Sequence, residues 1–221
     1  MELFREKKIS RNNDSVKCRD LMARDYRMQK RAEARDQVRE RIVEAAMRLH
    51  DKKGVVPTTF AEIAERAGVG PATVSRHFPT LGDLVRACGA HVWQEMRPPT
   101  PDAVASVFAE AKTGRDRLVR LVEELDAFYA RGAHRLALAA RDRDLVPELD
   151  GFLTAVEAGV EALVREALAH TGDGAHVIQV AVAFTSFQVW TQFTRVDLAP
   201  AELTRLKVKI LEDALKAARQ V

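Results

Sequence analysis

Apolar residues recur along this chain at the three- and four-residue spacing of helix faces, and the alternation of strands is absent. Val38, Ile42, Ala45 and Leu49 form the first clear stripe, and Gly54 ends it. Thr59 followed by Glu62 has the form of a capping box, opening a short helix that Gly68 closes after Ala67. Gly70-Pro71 opens the next helix, because proline fits a first turn, where its missing N–H leaves nothing unbonded. Thr80 with Asp83 predicts a longer helix from Leu81 to about Met96. The run Pro98, Pro99, Pro101 stops it and marks a boundary. Beyond lie predicted helices near 101–112, 115–131, 133–142, 147–170, 174–196 and 200–219, punctuated by Gly114, Gly132, Pro147, Gly172, Gly174 and Pro200. The fold class is all-α, with about ten helices.

Residues 1–35 differ from the rest, being highly charged with little periodicity. Asn12-Asn13-Asp14-Ser15 is an expected break, and the segment reads as a basic, mobile extension, helical from about Asp25 onward. The expected organisation is this extension (1–35), a helix-turn-helix domain with a connecting helix (36–96), and a larger helical domain (97–221).

Composition sharpens this picture in three places. Ala, Leu, Glu and Arg, all strong helix formers, dominate the 221 residues. Two cysteines exclude a disulfide framework and a four-cysteine zinc site, and the chain opens without a secretory leader, so a cytoplasmic protein is expected. The net charge of +3 is uneven: +5 over residues 1–41, zero over 42–96 and −2 over 97–221.

The stretch 177–194 holds no charge over eighteen positions, yet seven of them are polar, which argues against a membrane span. A helix apolar on more than one face is buried on more than one face. The last helix carries the stripe Leu203, Leu206, Ile210, Leu211, Ala214 and Leu215. Residues 174–196 and 200–219 are therefore expected to build a two-fold four-helix interface in a homodimer.

The most informative segment is TTFAEIAERAGVGPATVSRHF, from Thr58 to Phe78. Ile63, Ala64 and Ala67 face one way on its first helix, and Val69, Val74 and Phe78 can close on them from the second. Small residues at that contact allow a close, steep crossing, the geometry that carries a second helix into a DNA major groove. The outer face of that helix offers Gly70, Ala72, Thr73, Ser75, Arg76 and His77. Arg76 suits a guanine edge or a phosphate; Thr59 and Thr80 sit at helix N-termini, where free N–H groups favour phosphate.

From about Val38 to Trp93 the sequence resembles the DNA-binding domain of the TetR (tetracycline-repressor) family of bacterial regulators. The matching residues include Gly54, Thr59, Phe60, Ile63, Ala64, Ala67, Gly68, Val69, Thr73, Val74, Arg76, His77, Phe78, Pro79 and Leu84. The resemblance implies a homodimeric repressor, bound to a double-stranded operator and released by a small molecule. Ser75 stands where the family usually has Tyr, and Leu81 where it often has Lys, so two backbone contacts are missing. Arg27, Lys30, Arg31, Arg35 and Arg39 are placed to supply replacements.

Candidates for an effector pocket are Trp93, Phe108, Phe128, Tyr129, Phe152, Phe187, Trp190 and Phe193, with His91, His134, Gln188 and Thr191 as polar handles. A mostly apolar or aromatic small molecule is the expected ligand. No metalloprotease, nucleophile-elbow, P-loop or dinucleotide motif occurs, no cofactor is called for, and an enzyme is not expected. The alternatives are a helical interaction protein with a degenerate helix-turn-helix, or a small all-α enzyme. Cys88 reads as a buried thiol, the run Glu123, Glu124, Asp126 as a solvated face, and Arg141-Asp142-Arg143-Asp144 as local ion pairs.

Overall fold

The structure, a computed structural model, describes the backbone from residue 3 and the side chains from residue 24 to the C-terminus. Among the described residues it is all-helical: α1 Leu3–Lys53, α2 Phe60–Ala67, α3 Pro71–His77, α4 Leu81–Met96, α5 Val104–Val107, α6 Gly114–Asp142, a 3-10 turn Arg143–Leu145, α7 Pro147–Ala167, α8 Ala175–Phe184, α9 Phe187–Phe193 and α10 Pro200–Ala218. The chain forms two compact units. The first joins Met1–Met47 with Thr59–Pro79; the second joins Arg48–Thr58 with Thr80–Val221.

In the first unit the α1 stripe is turned inward, with Ile42, Val43, Ala45 and Ala46 fully buried. The same unit buries Ile63, Ala64, Ala67, Val74 and Phe78. α1 is one helix from its first described turn, so the break expected at Asn12–Ser15 is not present in the backbone.

The second unit is built on α6, which packs against α7 and α10, while α8 packs against the same two helices. Leu121, Leu125, Phe128 and Leu136 of α6 share a core with Leu153, Val160, Leu163 and Val164 of α7, Val177 and Ala181 of α8, and Val208, Leu211 and Leu215 of α10. Arg117 is buried in this core, donating through Nε to Ala167 O at 3.1 Å and through Nη2 to Glu166 Oε1 at 2.9 Å. It satisfies the last turn of α7, where a cation also meets the negative end of the helix dipole.

Three expectations are corrected. The helices predicted at 115–131 and 133–142 are one, because Gly132 is buried mid-helix and leaves room for Met96; a Cβ there would run into Met96 Cε. The single helix predicted over 174–196 is two. Thr185 turns its hydroxyl back to Ala181 O at 2.8 Å, and Ser186 caps α9 by accepting from Val189 N–H, so local side-chain bonds compete with the helix ladder. The helix predicted at 101–112 shrinks to the four residues of α5.

The C-terminal end of α6 grips the connection that follows α1. Asp142 is buried and accepts from the N–H groups of Val55 (2.8 Å) and Val56 (3.1 Å), so it is a structural anchor as well as the ion-pair partner of Arg141. Arg135 holds Asp51 with two bonds of 2.8 and 2.9 Å, and Arg141 donates to Lys53 O at 2.7 Å. Gly54, at φ +93°, lies so close beneath Arg141 and Asp142 that no side chain fits.

His50 is the polar side chain that this region leaves unsatisfied: its Nε2 is buried without a hydrogen-bond partner. Burial lowers its pKa to about 4 against the raising influence of Asp51 and Asp142. A neutral histidine is thus favoured by the fold, and its contribution is complete above the unfolded value near 6.5 and is lost as pH falls toward 4. Stability of the second unit should drop by on the order of 3 kcal/mol across that window, and His50→Leu should remove this part of the slope. Urea midpoints at pH 7.5, 6 and 4.5 check it, equal slopes in both proteins being the contrary result.

Two glycines of α7 give a matched pair. Around Gly151 a Cβ meets nothing, whereas at Gly159 it would collide with the backbone carbonyl of Pro99. Gly151→Ala should raise stability by about 0.5–1 kcal/mol through helix propensity, and Gly159→Ala should lower it by about 1–3 kcal/mol, read as shifts of the denaturation midpoint.

Candidate functional site

The helix-turn-helix is set by local chemistry at each end. Thr59 N–H donates to Glu62 Oε2 at 2.9 Å, while Glu62 N–H donates to Thr59 Oγ1 at 3.3 Å, so both partners of the predicted box are present. Gly68 ends α2 in the left-handed conformation (φ 64°, ψ 41°), and Val69 N–H donates to Ala64 O at 3.0 Å. Such a position favours glycine because a Cβ there meets the following carbonyl. Gly70 and Pro71 then start α3. Its inner residue Val74 is fully buried, and Phe78 closes the far end.

This burial leaves Ala72, Ser75 and Arg76 exposed on α3, with Thr73 and His77 half-buried beside them. Gly70 has open space where a Cβ would stand, so a ligand can approach the backbone closely. Ser75 Oγ donates to Pro71 O at 3.4 Å, a long bond within its own helix. Thr59 is exposed at the start of α2. Thr80 belongs to the second unit, where it caps α4 in a second complete box with Asp83.

Positive charge gathers at the end of α3. Arg39 of α1 lies 4.8 Å over the ring of Phe78, bringing α1 against this end of the helix. The pKa of His77 is lowered, by partial burial first and then by Arg76, Arg35 and Arg39. Three guanidinium groups therefore act on one imidazole. Further along α1, Arg24, Arg27, Arg31, Arg35 and Arg39 are all exposed. At helical periodicity they fall within an arc of about 120°, while the exposed Asp25, Glu33, Asp36 and Glu40 cluster on the other side. The arginine face spans about 22 Å of helix and continues onto the face that buries Ile42.

The second unit brings some of the aromatic candidates together. Tyr129, Phe187 and Trp190 are mutual neighbours, with ring centroids 5.5 to 5.9 Å apart. Tyr129 is buried, and its hydroxyl donates to Thr185 O at 3.0 Å, bridging α6 to the break between α8 and α9. Burial raises its pKa.

Tyr129 borders two cavities. One is lined by Leu136, Leu153, Val156, Val160, Phe187 and Gln188, with Arg143 and Glu157 among its walls. The other, half open to solvent, is lined by Val122, Leu125, Phe184, Trp190, Phe193 and Leu211, with Asp126 and Lys207. Trp93 and Phe152 meet edge to face at 5.7 Å and line neither cavity. Phe108 is buried under Arg117, and Phe128 borders a separate cleft beside Pro98 and Pro99. His134 bonds to Asp51 O, and Thr191 donates to Gln188 O.

Asp126 is not a solvated residue of an acidic run: it turns inward and accepts from Lys207 Nζ at 2.6 Å. The periodicity held the signal, since Asp126 lies four residues after the buried Val122, and Lys207 lies midway in the inward row 203, 207, 211. Cys88 is buried, as its apolar helix implied. Among the described residues no group of three or more His, Cys, Asp or Glu is placed to hold a metal ion, and no helix is long and apolar enough to cross a membrane.

The described residues thus form a helix-turn-helix with an exposed second helix and a separate all-helical unit with aromatic-lined clefts. Residues 42–88 match the family model described as bacterial regulatory proteins, tetR family. The transcriptional regulator TtgR of Pseudomonas putida is 44% identical over 55 residues, 25% of this chain and 26% of that protein. The probable regulator ArpR, also of Pseudomonas putida, matches to the same extent. The chain thus aligns with only about a quarter of the length of these curated relatives.

Solved structures share the fold over about four fifths of the chain. HlyIIR, a hemolysin II transcriptional regulator, superposes with a TM-score of 0.54 at 15% identity, covering 83% of this chain and 97% of that one. A TetR-family regulator from Mesorhizobium loti gives 0.51 at 20% identity, covering 83% and 97%. EbrR, a multidrug binding protein complexed with proflavin, gives 0.51 at 23% identity, covering 80% and 99%. The likeness in sequence to the tetR family is thus confined to the segment around the helix-turn-helix, and the likeness over the rest of the chain is one of fold.

Proposed function

We propose that this protein is a sequence-specific DNA-binding transcriptional regulator, a homodimer whose grip on its operator is released by a small, mostly apolar ligand. The observation that carries the reading is the sorting of charge along α1, whose arginine face converges with Arg76 and His77 at the end of α3. A face bearing five arginines, with the acids clustered on the other side and Asp36 reaching Arg35 at 3.6 Å, suits anions, and DNA presents phosphates along comparable lengths.

In this reading α3 enters the major groove, with Thr73, Ala72 and Arg76 at base edges and Gly70, Ser75 and His77 against the backbone. Thr59, Thr80 and Arg39 hold phosphates. The effector lies among the aromatic side chains of the second unit, around Tyr129, Phe187 and Trp190. That residues 42–88 match the tetR family model, that the regulators TtgR and ArpR are 44% identical over 55 residues, and that EbrR of similar fold is complexed with proflavin support a ligand-responsive DNA-binding protein.

The apolar faces of α8 to α10 support a dimer. On α10, Val208, Leu211 and Leu215 are buried, while Leu206 is 37% exposed and Leu203, Ile210 and Ala214 are half-buried. α9 has no buried residue at all, despite its Phe, Val and Trp content. Contiguous apolar surface of this kind marks an interface. Sedimentation at micromolar concentration should give a dimer, and Leu206→Glu with Ile210→Glu should give a folded monomer. A monomeric wild type would defeat the claim.

One observation favours the second reading, a degenerate helix-turn-helix: Ser75 contacts its own helix where the family usually has an exposed Tyr. Gel shifts at several salt concentrations, on DNA upstream of the protein's own gene, separate the two. Arg76→Ala should weaken binding by roughly 1–3 kcal/mol and relax sequence preference. Replacing Arg27, Arg31 and Arg35 by Gln should weaken binding to all sequences and flatten the salt dependence by about 0.9 for each phosphate no longer neutralised. An unchanged slope would remove the arm from the interface, and the absence of any shift would favour the degenerate motif.

A further inference from the structure

We propose that the cleft between α6, α9 and α10 binds an aromatic compound bearing a carboxylate, with Lys207 Nζ as the group that receives the anion. This deepens the reading of the second unit as an effector domain and rests on it. The cleft is half open to solvent, so a ligand can enter from its mouth, and its walls are mainly Val122, Leu125, Tyr129, Trp190, Phe193 and Leu211. One ion pair interrupts this apolar surface, Lys207 with Asp126.

The polar groups of the cleft are unequally satisfied. The Tyr129 hydroxyl donates to Thr185 O, and the Thr185 hydroxyl donates to Ala181 O, so both of these protons are in use. Lys207 is different. An ammonium carries three donors, and among the described residues Lys207 makes one hydrogen bond, to Asp126 Oδ1. Its side chain is only 10% exposed, with Nζ 5.4 Å from the centroid of Phe193. Donors left unspent on a charge in an apolar cavity are costly, and an acceptor entering the cleft would use them.

The two partners also differ in freedom. The Asp126 side chain is 29% exposed and can turn to water, whereas Lys207 would lose its partner without gaining solvent. An entering carboxylate can therefore displace Asp126 and keep the buried charge neutralised. An entering cation would instead need to share Asp126 beside the positive charge of Lys207. The ring faces of Tyr129, Trp190 and Phe193 select an aromatic body through offset or edge contacts.

The test is calorimetric titration of the full chain with naphthalene-2-carboxylate, 2-naphthylmethanol and 2-naphthylmethylammonium. The carboxylate should bind about tenfold or more tighter than the alcohol, and the ammonium weakest. Lys207→Met should remove the advantage of the carboxylate and leave the alcohol unchanged, while Asp126→Asn should strengthen the carboxylate several-fold. Because a lone charge can unfold the site, the double variant Lys207→Met, Asp126→Asn is titrated as well; it should fold and bind carboxylate and alcohol equally. In a Trp93→Phe background, binding should quench Trp190 fluorescence. Preference for the ammonium, equal binding of all three probes by the wild type, no binding, or a silent Trp190 would overturn the proposal. Loss of the regulator reading would show separately, as absence of a gel shift in a protein that still takes up the carboxylate.

Discussion

What α3 presents to a partner depends on its contact with α2. Ala64 and Ala67 are small enough to let Val74 settle into complete burial, and Gly68 takes the left-handed turn that points α3 back across α2. A bulkier contact residue would push the helices apart, and a β-branched residue at the turn would strain it by about 1–2 kcal/mol. With Val74 and Phe78 held inward, the rotation of α3 is fixed, and Ala72, Ser75 and Arg76 have no choice but to face outward. The chemistry of the surface is a by-product of the packing beneath it.

Charge is organised at the same scale. A net charge of +3 says little about a partner, but the face of α1 that leads to α3 is lined with arginines. Their positive charge reaches His77, whose proton is disfavoured by partial burial first and then by Arg76, Arg35 and Arg39, against the opposing Asp36. Such a cluster is held together by the fold and relieved by an anion. The second unit is organised differently, around buried ion pairs: Arg117 on the end of α7, Asp142 on the backbone of Val55 and Val56, and Lys207 on Asp126. Two of these satisfy backbone groups that would otherwise be stranded. The third joins two side chains at the wall of a cavity.

The helix-turn-helix was legible because its signals are local. Capping boxes at Thr59 and Thr80, Gly68 after α2 and Pro71 at the start of α3 each act within four residues, and each stands where the spacing put it. The second unit was less legible because its decisive contacts are distant in sequence. Gly132 reads as a helix stop, yet its missing side chain is filled by Met96, thirty-six positions earlier in the chain. Thr185 and Ser186 look like ordinary polar residues in an apolar run, yet together they end one helix and cap the next. Asp126 sits beside Glu123 and Glu124 in sequence, and only the rotation of α6 sends it inward to Lys207. Of the aromatic candidates, spacing could identify those on apolar faces but not the three that gather around one point, Tyr129, Phe187 and Trp190.

The central claim is that two copies of a single exposed helix, each flanked by an arginine-faced α1, read DNA sequence. Selection of bound fragments from random double-stranded DNA tests it most directly. A two-fold dimer should enrich an inverted repeat whose half-sites are separated by about one helical turn or a multiple of it. Enrichment of no sequence, or of a motif without two-fold symmetry, would contradict it.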